Sequence, residues 1–361
     1  MPKYMAQSDF FHLGCIMFPM TRSALLLALL LCVQTAAWAE DEVSASDYRP
    51  GKGWQVPGTG FKLGGYASAG IEDDHHQRAT VGVDDFSLFV HWESDGKLRL
   101  FSELDLEQPV VWEQGHGVTA RHAYLALERA YADYLYSERL NFRAGKFLTP
   151  IGRWNVIHAA PLVWTTTRPL VTERTFPTNA TGAMVYGTLP ALGNTIDYSV
   201  YSALGEDWRP DPKLDPFEEA YGMHVMLPVT GNSEFGVSYA NFEQKGSRGE
   251  HKKLLGLDYY WSRERYEVSA ELAYRFSDNG SQSDERGLYI QGVVPLSGHW
   301  YAIGRYELYD QAGPAPALNL WLAGVAMRLT PAMVLKAEFS HATNNRIQAP
   351  EGLFASFAIL F

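Results

Sequence analysis

The chain has 361 residues, a formal net charge of −11 and only two cysteines. The acidic balance argues against nucleic acid, and against an anionic membrane surface, as a principal partner. No apolar run beyond the first forty residues approaches the roughly 20 needed for a spanning helix, which excludes a helical membrane protein as well.

Met20-Thr21-Arg22 gives a short positive start, Ala24 to Val33 is uninterrupted and apolar, and Ala37-Trp38-Ala39 is a small-x-small cleavage signature. Residues 1–39 therefore read as a signal peptide, with the true start at Met20 and cleavage after Ala39. Cys32 does not mark a lipoprotein, because the residue before a lipidated cysteine is small and here it is Leu31. Both cysteines fall in the leader, so the exported part is expected to hold together without disulfides. Residues 40–58, with Pro50, Gly51, Gly53, Pro57 and Gly58, read as a loosely ordered periplasmic lead-in.

From residue 59 to 361 the signal is period two. Phe86, Leu88, Val90 and Trp92 alternate with Asp85, Ser87, His91 and Glu93. Leu98, Leu100, Leu104 and Leu106 alternate with Arg99, Glu103, Asp105 and Glu107. Tyr266, Val268, Ala270 and Leu272 alternate with Glu267, Ser269, Glu271 and Ala273. Such alternation means half-buried strands, and no amphipathic helix follows to cover the apolar faces. The spacing predicts strands over 60–72, 79–93, 97–108, 119–134, 138–147, 181–189, 194–204, 218–229, 233–243, 251–262, 264–276, 284–296, 299–310, 317–329, 332–342 and 352–361. Connections alternate between tight turns such as Gly231-Asn232 and longer polar loops such as 205–217. An even number of strands joined in this way is expected of an all-β, antiparallel transmembrane barrel of about sixteen strands, with tight turns on the periplasmic side. Lipid then receives Tyr266, Val268, Ala270 and Leu272, while Glu103, Asp105, Glu107, Arg143, Glu267 and Glu271 line the lumen wall.

Ring side chains favour membrane interfaces, and Phe61, Trp92, Trp261, Tyr266, Trp300 and Phe361 all fall at periplasmic strand ends in this topology. The segment LFASFAILF ends on Phe361. It resembles the recognition signal that outer-membrane barrels present to their assembly machinery.

The connection from Leu148 to Ala180 is the longest, and it carries Trp154, Val156, Ile157, Leu162, Trp164, Leu170 and Phe176. A loop of this length and apolarity needs somewhere to bury itself, and folding inward onto the barrel wall supplies the place. The stretch GKFLTPIGRWN, Gly145 to Asn155, resembles the motif at the same place in the porin O and P group, the phosphate-selective-porin-like barrels. That resemblance implies an outer-membrane channel for passive diffusion of small hydrophilic solutes or ions, with the loop after strand 5 forming the constriction and a homotrimer as the assembly. It implies no enzyme and no cofactor. Lysine-rich vestibule clusters of phosphate-selective members have only Lys245, Lys252 and Lys253 as counterparts here, so phosphate is not the expected solute.

Lys146, Arg153, Arg168 and Arg174 against Glu173 make the loop basic opposite an acidic wall. Two readings stand: these charges bias passage toward anions, or the arginines pair with nearby acids and hold the loop down. Two other functional classes compete. A solute-specific sugar or organic-acid channel would stack its ligand on Trp112, Trp154 or Trp164. A barrel enzyme would need a rim constellation, for which Asp84, Asp85 and His122 are the available pieces. His75 and His76 with Asp73 and Asp74 form a weak metal-ligand pattern in an outer loop.

Overall fold

The computed structural model describes residues 48–94, 96–191, 193–210, 215–278, 284–310 and 316–361. The expected leader, residues 1–39, lies outside the described residues. Among the described residues, nineteen strands form one antiparallel sheet, sixteen of them the staves of a closed barrel. We number the staves β1 Phe61–Asp74, β2 Thr80–Glu93, β3 Leu98–Glu113, β4 Tyr124–Ser137, β5 Leu140–Leu148, β6 Asn179–Ala191, β7 Asn194–Ala203 and β8 Phe217–Thr230. The second half comprises β9 Ser233–Gln244, β10 Lys252–Arg263, β11 Tyr266–Ser277, β12 Glu285–Pro295, β13 Trp300–Asp310, β14 Leu318–Thr330, β15 Met333–Thr343 and β16 Gly352–Leu360. Closure comes from β16 pairing with β1, Gly352 opposite Asp74 through Leu360 opposite Tyr66. A closed sheet leaves no backbone donor or acceptor row unpaired, which is the condition for crossing hydrocarbon with strands.

The distribution of side chains is inside-out relative to a soluble protein. Trp321, Val200, Ile290 and Leu353 lie on the exposed outer surface, while Glu103, Glu271, Arg305, Glu307, Lys336 and Glu338 are buried inside. Tyr266 and Leu272 are exposed and their neighbour Glu271 is enclosed, as the alternation requires. The tight-turn end carries the expected ring of aromatics: Phe61 packs on Trp92 with centroids 6.3 Å apart, and Phe361 stacks on Phe86 at 5.7 Å. The backbone of Phe361 completes the seam, its N–H donating to the Gly65 carbonyl at 2.9 Å and its carbonyl accepting from the Gly65 N–H at 3.0 Å.

Three short strands depart from the sequence expectation. Tyr48–Arg49 pairs with Gly53–Gln55, and Trp54 and Gln55 pair with Leu63 and Lys62 of β1. From Tyr48 onward the lead-in is thus joined to the sheet. Gly117–Thr119 folds back on β3 opposite Val111 to Glu113, which lengthens that strand beyond its expected end at 108. Trp112 therefore sits on a protruding outer hairpin and is partly exposed.

Candidate functional site: the inward loop and its facing wall

The connection between β5 and β6 enters the barrel. Its neck is closed by Thr149, whose N–H donates to the Thr178 carbonyl and whose hydroxyl donates to the Pro177 carbonyl, each at 2.8 Å. Asn155, fully buried, ties both sides of the neck by donating to the carbonyls of Thr149 and Thr178 at 2.8 and 3.0 Å. Two short helices follow, α1 Trp154–Ile157 and α2 Leu170–Arg174. Ile151, Trp154, Val163, Leu170, Val171 and Phe176 are buried against the inner wall, which gives the apolar loop side chains the burial they require.

Polar docking is dominated by carboxylates of the wall accepting from the loop backbone. Glu271 on β11 takes the N–H groups of Arg153 and Trp154 at 3.1 and 2.6 Å. Glu307 on β13 takes that of Leu170 at 2.7 Å. Glu338 on β15 takes those of Thr166 and Thr167, each at 2.8 Å, and the Thr167 hydroxyl at 2.7 Å. Charge-assisted bonds of this kind contribute about 1.5–3 kcal/mol each. Cations of the wall complete the set: Arg305 donates to Thr165 and Thr167, and the Lys336 ammonium donates to the carbonyls of Ala160 and Thr165 at 3.0 and 3.1 Å. Gly152 shows how tight the fit is. Its φ is +64°, and a Cβ there would stand 2.2 Å from a Glu271 carboxylate oxygen.

The sequence-marked charges fall as follows. Arg153 pairs with Glu234 at 3.0 Å and lies 3.7 Å over the Tyr260 ring. Arg168 donates to Asn155 at 2.6 Å and to the Thr172 carbonyl at 2.8 Å, inside the loop. Burial lowers its pKa to about 10, still well above neutral pH. Arg174 and Glu173 are exposed at the end of α2, and Arg174 donates to the Ile347 carbonyl at 3.3 Å. Lys146 is buried in a pair with Asp207 at 2.6 Å. Arg143 grips Asp133 with two bonds of 2.7 and 2.9 Å. Glu103 accepts from Arg129 and from Ser87, and Glu267 accepts from the Trp164 indole at 2.8 Å. Trp164 is further held between Tyr301 at 4.7 Å and the Arg328 guanidinium at 4.2 Å.

The loop leans on the wall from β9 to β16, and on its other side a cavity of about 270 Å³ remains against β1 to β4. Glu72, Asp84, Asp85, Asp105, Glu107 and Glu128 line it from the wall. From the loop come Trp154, His158 and Arg168, and Lys336 also reaches the cavity. His158 adds no positive charge at neutral pH, because burial and the nearby Arg168 push its pKa down to about 4.

Sequence reasoning missed Arg305, Glu307, Lys336 and Glu338, although their signal was present. Each pair occupies alternate positions of its strand, which puts both charges on the lumen face. The pieces considered for an enzyme are not grouped at a rim: Asp84 and Asp85 line the cavity, and His122 is exposed in the turn Ala120–Ala123. His76 bonds to Asn345 at 2.9 Å and, with His75, approaches Glu351, which joins two outer loops.

No protein-family model matches the chain. An uncharacterized protein of Aquifex aeolicus (strain VF5) is 22% identical over 336 residues, covering 78% of this chain and 75% of that protein. The anion-selective porin from Comamonas acidovorans superposes with a TM-score of 0.57 at 13% identity, over 83% of this chain and 98% of the porin. The outer-membrane channel DcaP of Acinetobacter baumannii gives 0.57 at 11% identity, over 86% and 99%. OmpT of Vibrio cholerae, in its trimer form, gives 0.55 at 9% identity, over 83% and 99%. At these identities the likeness is one of fold, and that fold is the sixteen-stranded barrel of outer-membrane porins.

Proposed function

We propose that the chain is a non-enzymatic channel of the bacterial outer membrane, through which small hydrophilic solutes diffuse passively. The loop from Leu148 to Ala180 is its constriction, and the passage between that loop and β1 to β4 sets the ion preference. One observation carries the sign of that preference: six wall carboxylates line the passage against two cations, Arg168 and Lys336. A narrow channel in low-dielectric walls concentrates the field of such a set, and it favours cations. The anion bias expected from a basic loop needs its guanidinium groups to outweigh this wall, whereas Arg153 is paired with Glu234 and Arg168 is the one loop arginine in the lining.

In planar bilayers, reversal potentials in a low-salt gradient should report cation preference. Asp84→Asn with Glu72→Gln should reduce that preference. Neutral replacement of Arg153, Arg168 and Arg174 together should leave its sign unchanged. Screening over roughly 8 Å at physiological salt means the preference should shrink as salt rises. A reversal potential of anion sign, moved toward cations by the arginine changes, would replace this reading with the anion one.

A homotrimer embedded in outer-membrane lipid is the assembly we propose, by analogy with the trimer form of OmpT. Phe361, bonded to Gly65 at the closing seam, is proposed as the signal for the barrel assembly machinery. Deleting Phe361 should lower the amount of folded, heat-modifiable barrel in the outer membrane without changing the conductance of the channels that form. Normal amounts of the truncated protein would remove that role.

A further inference from the structure

Within the acidic wall one group of carboxylates is set apart by its geometry. A register shift places Asp84 as an extra residue of β2 between the Ser68–Asp85 and Ala69–Val83 pairs. Bulges re-aim side chains, and here Asp84 and Asp85 both line the cavity. Asp85 stands opposite Glu107, and Ser87 opposite Asp105, across the β2–β3 pairing. One carboxylate oxygen from each of Asp85, Asp105 and Glu107 lies within 4.8 Å of the others. Three hydroxyls orient them: Ser68 donates to Asp85 at 2.8 Å, Tyr66 to Asp105 at 3.4 Å, and Tyr124 to Glu107.

A second observation is independent of the clustering. Asp105 is only 6% exposed, and its Oδ1 has no hydrogen-bond donor. A buried carboxylate oxygen without a donor beside two further carboxylates is a strongly unfavourable arrangement unless a positive charge or a proton joins it. Lys336, which donates to the Ala160 and Thr165 carbonyls, also acts electrostatically on Asp84 and Asp85, and a single positive charge does not balance the three carboxylates of the group.

We propose that Asp85, Asp105 and Glu107 bind one divalent cation, of the calcium class. The donor set is all oxygen and anionic, which suits a hard cation. Calcium–oxygen distances of about 2.3–2.6 Å put ligands on opposite sides of the ion about 5 Å apart, which accommodates the observed spacing. Magnesium dehydrates reluctantly and is usually held through one or two carboxylates, so three protein carboxylates suit calcium better. Water in the adjoining cavity completes the coordination. The bound ion also ties β2 to β3 beside the bulge. This inference is independent of whether solutes pass through the barrel, because binding is read on the folded protein itself.

The test uses the whole barrel folded in detergent, stripped with chelator and titrated with calcium chloride by calorimetry, with the thermal midpoint followed in parallel. The expected result is saturable binding of one Ca²⁺ per chain, tighter than Mg²⁺, with a rise in the midpoint. Asp105→Asn, which keeps the shape and removes one charge, should weaken binding by on the order of tenfold or more. Glu107→Gln provides a second variant, and heat-modifiable gel mobility verifies that each has folded. Glu219, Glu243 and His251 form the other group of clustered ligand-type side chains among the described residues, two of the three exposed. Glu243→Gln should therefore leave the affinity unchanged. Absence of saturable Ca²⁺ binding in the parent would overturn the proposal. So would binding lost in Glu243→Gln and kept in Asp105→Asn, or a midpoint that follows pH and ignores Ca²⁺, which would assign the shared charge to a proton.

Discussion

Leu272→Arg should lower the stability of the folded barrel in lipid vesicles by about 2–4 kcal/mol, whereas Ser199→Arg should fold nearly as stably as the parent. Leu272 is 41% exposed on the outer surface, in the middle of β11, flanked across the sheet by Leu257 and Leu288. An arginine near the bilayer midplane costs about 2–4 kcal/mol in a transmembrane barrel, a large share of the roughly 5–15 kcal/mol that holds a typical domain. Ser199 on β7 lines an open hollow of about 330 Å³ together with Asn141, Tyr186 and His224, where water can solvate a new charge. Glu267 and Glu271 are the lumen positions that alternation alone nominates for this comparison, but both hold the loop and would confound it. Equal loss of folding from Leu272→Arg and Ser199→Arg, measured by urea titration in vesicles, would refute the assignment of faces.

The staves were legible because a wall that separates lipid from lumen forces period-two alternation, and tight turns mark every second connection. Expected spans such as 264–276 and 352–361 differ from the observed Tyr266–Ser277 and Gly352–Leu360 by a residue or two. Bulges were not legible. Asp84 interrupts the alternation of β2 without any glycine or proline beside it, so the grouping of Asp85 with Asp105 and Glu107 emerges only from the register. The entry of the loop was readable from its apolar content, but its docking was not. Charge counting sets basic loop residues against acidic wall residues, whereas Glu271, Glu307 and Glu338 accept mainly from the backbone of the loop. A backbone N–H leaves no mark in residue type. Gly152 is the exception in hindsight, since a glycine held at positive φ often marks a close approach by another group.

That close approach gives the second large effect. Glu271→Ala should raise single-channel conductance and add open-channel noise, because it removes the acceptor of the Arg153 and Trp154 N–H groups and of the Tyr289 hydroxyl. Each buried donor left without a partner costs about 1–3 kcal/mol, enough to shift the start of the loop toward undocked arrangements even though Glu307 and Glu338 still hold its later part. Gly152→Ala should give a similar phenotype for a different reason. The added methyl meets the Glu271 carboxylate at 2.2 Å, and the backbone is held at a φ of +64° that alanine disfavours. Residues acting through one contact are not additive. In the Glu271→Ala background the steric part of the Gly152→Ala effect has no object, so the double variant should conduct little more than Glu271→Ala alone. Conductance unchanged by Glu271→Ala, or fully additive increments in the double variant, would mean that the carboxylate does not hold this end of the constriction.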